Sequence, residues 1–226
     1  MNYSLSGSDQ KRSGAALRYF GLFALACIFM MISHSAHAER IVLAPGGLTL
    51  NPDTAQAEFV VSQRGLGTND SWVTVGLPNS LLGMELEVER QEQAGHPRHT
   101  ISLAYSLFGN LFSDIAPAIS VGVRDILDNG RDGRAFYAAA TKKFVVSESL
   151  EKYLRNWQLD AGYGSSHIGG GYVGISGKFA MGFTGSAEYV ARRWNLSVKV
   201  PVISNLSAEV MSLDGDIFYG ANFTLP

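Results

Sequence analysis

Cysteine is almost missing from this chain: Cys27 is the only one. It lies inside a segment read below as a removable leader, so the remainder has none. Disulfides are thereby excluded as what holds the fold of an exported protein. Charge is sparse too, at 17% of residues, while aromatics reach 11%; a disordered chain shows the opposite balance. A basic surplus is also lacking. The formal charge is −2, and about −4 once Asp9, Lys11, Arg12 and Arg18 leave with the leader. Nucleic acid is therefore not an expected partner, since phosphate recognition needs concentrated positive charge. Beyond residue 38 no apolar run reaches the ~18 residues that mark a membrane-spanning helix.

What is present begins with an export signal. Lys11, Arg12 and Arg18 form a basic start, Tyr19 to Ile32 is uninterrupted apolar sequence, and Ser33-His34-Ser35-Ala36-His37-Ala38 ends in the A-x-A pattern that a signal peptidase reads. A retained helical anchor is the competing reading, but the run is shorter than the ~20 residues a bilayer needs. A lipoprotein site at Cys27 is excluded because Ala24 stands where a leucine belongs and hydrophobic residues continue past the cysteine. The expected organisation is a signal peptide over residues 1–38, an irregular lead-in over 39–55, and one domain over 56–226.

Within that domain the period is two. Met84, Leu86 and Val88 alternate with Glu85, Glu87 and Glu89, and Ile101, Leu103 and Tyr105 with Ser102, Ala104 and Ser106. Ile119, Val121 and Val123 alternate with Ser120, Gly122 and Arg124; Trp157, Leu159 and Ala161 with Gln158, Asp160 and Gly162. Leu196, Val198 and Val200 oppose Ser197 and Lys199, and Leu206, Ala208 and Val210 oppose Ser207 and Glu209. Such alternation places all apolar side chains on one face of a sheet. Turn chemistry at Gly67–Asp70, Ala94–Pro97, Asp128–Gly130 and Asp214–Asp216 separates the runs. The pattern predicts an all-β, antiparallel up-and-down meander of about ten to twelve strands. One helix is expected, over Ser147–Arg155, with Ser147 as its N-cap.

Two architectures share this alternation. A soluble periplasmic β-sandwich buries its apolar face against a second sheet, whereas a membrane barrel turns that face to lipid and keeps small and polar residues inside. In the barrel, Glu85, Glu87, Glu89, Asp160 and Glu209 would face Arg124 and Lys199 across the lumen. Aromatic residues such as Trp72, Tyr105, Trp157, Tyr163, Tyr189, Trp194 and Tyr219 lie mostly near strand ends, as interfacial girdles require. The ending Gly220-Ala221-Asn222-Phe223-Thr224-Leu225 looks like the terminal signal of outer-membrane barrels, carried by Gly220, Phe223 and Leu225. It departs from that signal at Phe218, where a polar residue is usual, and at Pro226. The expected partners are accordingly outer-membrane lipid and the barrel assembly machinery.

Three stretches resemble the YjbH-like family of exopolysaccharide-associated outer-membrane proteins. Gly47-Leu48 followed by Asn51-Pro52-Asp53-Thr54-Ala55 is similar to the family's opening, and Ala116 to Ile126 to one of its strands. Leu206-Ser207-Ala208-Glu209-Val210 with Asp214-Gly215-Asp216 and Gly220-Ala221 resembles its closing segment, although Met211-Ser212-Leu213 departs from the family's Tyr-Asp. The resemblance covers most of the chain after the leader, as a single barrel unit. It implies an outer-membrane β-barrel linked to polysaccharide export, with export components as partners.

Catalytic and cofactor motifs are weak. His96 and His99 sit three apart beside a proline, a spacing that on a strand points them to opposite faces, so they do not share a metal. Ser165-Ser166-His167 invites comparison with a lipid A deacylase barrel, whose H-x-S-N pattern would need a serine where Gly169 stands; no third group orients the base. A lipid A-modifying enzyme using His167 is thus an alternative, as is the β-sandwich binding module. Gly169-Gly170-Gly171 lacks the Lys-Ser/Thr pair of a phosphate loop. The leading expectation is a non-enzymatic outer-membrane barrel that supports exopolysaccharide secretion or envelope structure, without cofactor or metal.

Overall fold

The computed structural model describes residues 42–63, 69–77, 83–93, 96–108, 116–130 and 133–225. The export leader read at residues 1–38 lies outside them, as do Gly67 and Thr68 of the turn expected at Gly67–Asp70, whose Asn69 and Asp70 belong to a strand. Twelve strands occupy the described residues: β1 (Ala55–Ser62), β2 (Asn69–Gly76), β3 (Met84–Gln93), β4 (His96–Phe108), β5 (Ala118–Arg124) and β6 (Ala135–Val145), then β7 (Leu154–Gly164), β8 (Gly170–Phe179), β9 (Thr184–Val190), β10 (Arg193–Ile203), β11 (Leu206–Leu213) and β12 (Asp216–Leu225). Each pairs antiparallel with its neighbour in sequence, and β1 also pairs with β12 from Ala55↔Leu225 to Ser62↔Phe218. The sheet is therefore a closed up-and-down barrel with no free edge, not a sandwich.

Side-chain polarity is inverted relative to a water-soluble protein. On β3, Val88 is 45% exposed while Glu87 and Glu89 on the opposite face are buried. The same holds around the wall: Val121, Leu159, Leu196, Val198 and Val210 point out, and Ser120, Asp160, Ser197 and Glu209 are buried within. An exterior of this kind is what a hydrocarbon layer would cover. Water would not favour it, since such an apolar surface exceeds what monomeric soluble proteins expose.

Three local expectations change. The helix, α1 (Glu148–Glu151), is a single turn, and Leu154 and Arg155 belong to β7. Leu150 and Tyr153 are exposed and bury no face. Nothing repays the cost of a longer helix, whereas Leu154 gains a ladder partner in Phe179. The turn expected at Ala94–Pro97 ends sooner, because His96 and Pro97 already pair with Gln93 and Glu92 in β4. Proline is tolerated there because pairing with β5 starts only at Leu103, leaving that edge of β4 without a ladder at Pro97. At the β11–β12 hairpin, Asp214 and Gly215 both have positive φ, as a two-residue type I′ turn requires, so β12 begins at Asp216.

Candidate functional site: an occluded lumen

The segment expected to be an irregular lead-in runs through the middle of the barrel. Val42, Ala44, Leu48, Thr49 and Leu50 are each less than 5% exposed. Proline and glycine keep the chain from Pro45 to Gly47 out of helix and, apart from one isolated bridge at Pro45, out of strand pairing, so its peptide groups need other partners. The wall supplies them. The Glu188 carboxylate accepts the N–H groups of Val42 at 3.0 Å, Leu43 at 2.9 Å and Ala44 at 3.0 Å. Arg124 Nη1 donates to the Leu43 carbonyl at 2.9 Å, the Tyr172 hydroxyl to Pro45 at 2.9 Å, and Ser120 Oγ to Gly46 at 2.8 Å. Farther along, Gly47 N–H donates to Thr141 Oγ1 at 2.7 Å and Leu50 N–H to Glu85 Oε2 at 2.8 Å. We call residues 42–51 the plug.

Apolar contacts grip the same segment. Val42 packs with Val60, Trp72 and Met211, joined by Leu213 and Phe218. Ala44 packs with Ala135, Ala139, Ile168 and Tyr172. Phe218, the departure noted in the terminal signal, is thus an inward residue that serves the plug. Gly47 passes so close to the wall that a Cβ there would overlap Thr141 N and the Ala118 carbonyl oxygen. At the plug's end, Pro52 and Asp53 (φ +64°) form a turn in which Thr54 N–H donates to the Asn51 carbonyl at 3.2 Å. A proline followed by a positive-φ residue is the type II pattern. It reverses the chain out of the lumen and into β1.

The residues expected to carry lumen charge divide into separate groups. Arg124 Nη2 lies 4.0 Å from Glu87 and 3.9 Å from Glu89. Lys199 Nζ lies 3.4 Å from Glu209 and 3.1 Å from Glu58. Asp160 accepts from Thr141 Oγ1 and, at 3.4 Å, from Gln158 Nε2, and Glu85 holds the plug at Leu50. Alternation also turns Lys143 and Lys178 inward, nearer the end of the barrel where β1 starts and β12 finishes. Sequence reasoning missed Glu58 and Glu188. Both lie on inward faces that alternate with Phe59 and Tyr189, a signal present but not read. In the assembly ending, Gly220 faces Val60 and the Phe59 carbonyl without room for a Cβ, while Phe223 and Leu225 share the face of exposed Tyr219.

Beyond Leu43 and Ala44 the lumen opens into a cavity of about 600 Å³ lined by Trp72, Asp70, Glu89, Asp125, His167 and Asn195, among others. Beside the plug at Gly46 and Leu48 lies a much smaller cavity of about 30 Å³. The lumen is therefore closed along the plug and open above it. His167 sits in a 3-10 turn (Ser166–Ile168) at the cavity. The Ser165 hydroxyl accepts the Phe136 N–H at 2.9 Å, which engages it with backbone. No cluster of metal-ligating side chains occurs among the described residues.

No family model matches the sequence, and no curated protein matches it. Solved structures do match. A KdgM porin is similar at 9% identity with a TM-score of 0.50, covering 76% of this chain and 98% of that one. A KdgM porin in complex with disordered oligogalacturonate gives 10% and 0.51 over the same shares. A NanC porin structure gives 10% and 0.42, again over 76% and 98%. At these identities the likeness is one of fold: a porin-like barrel.

Proposed function

We propose that this chain is a non-enzymatic outer-membrane barrel that its own amino-terminal segment keeps closed at rest. The inverted polarity of the wall carries the reading: apolar side chains cover the outside while carboxylates and hydroxyls are buried within. The export leader read at residues 1–38 and the Gly220-to-Leu225 ending support an outer-membrane address. Its role would be in the envelope, and the YjbH-like resemblance supports a link to exopolysaccharide export. With the plug in place no polysaccharide chain can thread the lumen, so that link would run through contacts with export components rather than through transport. One structural neighbour is described with oligogalacturonate, an acidic sugar polymer. Here such a polymer would meet a wall already rich in carboxylates, which argues against it as a ligand.

Membrane fractionation with gel migration before and after boiling tests the address. The protein should sediment with outer membranes and migrate faster unheated. Soluble periplasmic protein with one mobility would end the barrel reading. A deletion strain then tests the pathway, with reduced secreted polysaccharide expected.

A further inference from the structure

We propose that the plug is a gate, and that the lumen it vacates conducts cations. This rests on the closed-barrel reading above. The plug is attached to the wall by side chains that hold its backbone, not by ladder pairing along its length. Its main fastening near the cavity is one residue, Glu188, which gathers three successive N–H groups. The space into which it would move already exists, because the cavity of about 600 Å³ ends on Leu43 and Ala44. Withdrawal of one extended segment would leave a bore on the order of 5 Å, the width a strand occupies in a sheet.

The chemistry of that bore follows from what the plug compensates. Arg124 and Lys199 each already face two carboxylates. Glu188 forms no ion pair among the described residues; its donors are the plug amides and Asn195 Nδ2 at 2.8 Å. Departure of the plug strips that carboxylate of three donors and Glu85 of the Leu50 N–H, exposing both to the path. A narrow, low-dielectric passage in which Glu58, Glu85, Glu87, Glu89, Asp160, Glu188 and Glu209 outnumber Arg124, Lys143, Lys178 and Lys199 concentrates cations and repels anions. The solutes expected are small hydrated cations.

Planar-bilayer recording in potassium chloride, with protein purified from outer membranes, tests this. Wild type should be closed for most of the record. Deletion of residues 42–50 should give steady conductance that prefers potassium to chloride about tenfold, in line with focusing in charged clefts. Glu188→Ala in the otherwise intact chain should open at least several-fold more often than wild type. A deletion variant that assembles, shown by heat-dependent migration, yet stays silent or prefers chloride overturns the proposal. If the deletion variant does not assemble, Glu188→Ala decides, and an opening frequency equal to wild type overturns it. Failure of wild type itself to form a heat-modifiable membrane species would instead remove the underlying barrel reading.

Discussion

Two charged clusters in the same lumen do different work. One lies at the closing seam. Lys199 on β10 bonds Glu58 on β1 and Glu209 on β11, and Asn222 on β12 donates to Glu58 at 2.7 Å. It ties together β1, β10, β11 and β12, and among the described residues these side chains make no hydrogen bond to the plug. The other, Glu188 on β9 with Arg124 on β5, reaches the plug backbone at Val42, Leu43 and Ala44. The first closes the wall and the second closes the bore. Similar residue types thus serve stability in one place and occlusion in another, according to whether they reach one another or the plug backbone.

Lys199→Met should separate the two most sharply. It leaves Glu58 and Glu209 buried without their cation, and breaking such a pair costs about 3–5 kcal/mol. Urea titration in lipid vesicles should show that loss, while bilayer recordings of the protein that remains folded stay closed. A variant of near wild-type stability that conducts freely would show that seam and plug are one system.

How legible this was in the sequence differs between the same two regions. Strand alternation such as Glu85-Leu86-Glu87-Val88-Glu89 exposes the wall, because lumen and exterior demand opposite polarity at every second residue. The hairpin at Ala191 and Arg192 left no such trace. Both residues have positive φ, at 49° and 65°, where glycine or asparagine would ordinarily announce the turn. The plug was illegible for a deeper reason. Its hydrogen bonds run from backbone amides and carbonyls to wall side chains distant in sequence, as from Val42 to Glu188, and no periodicity encodes those. Pro45, Gly46, Gly47 and Pro52 marked the segment as irregular, yet irregular backbone is equally at home on a surface.

Gly47→Ala should affect the plug and spare the seam. The added methyl meets Thr141 N and the Ala118 carbonyl oxygen, ladder atoms of β6 and β5 that cannot yield cheaply. Overpacking of this kind costs about 1–3 kcal/mol, and under the gate proposal the plug, not the wall, is the part that yields. With no cysteine beyond Cys27, Ala44→Cys supplies a unique probe on the barrel. A water-soluble thiol reagent should label it about tenfold faster when Gly47→Ala is present, the factor that 1.4 kcal/mol represents. Unchanged labelling would mean that the plug is as rigid as the strands.

Arg193→Ala should do least, and that small effect is informative. Arg193 and Asp214 approach to 2.8 Å, closer than any contact of Arg124 with Glu87 or Glu89, but their side chains are 62% and 58% exposed. Water screens such a pair, so its loss should cost no more than about 1 kcal/mol. Urea stability and plug labelling should both stay close to wild type. If Arg193→Ala matched Lys199→Met in the vesicle titration, proximity of charge would govern the barrel. If it does not, the seam owes its strength to burial, which keeps water from replacing Lys199 beside Glu58 and Glu209.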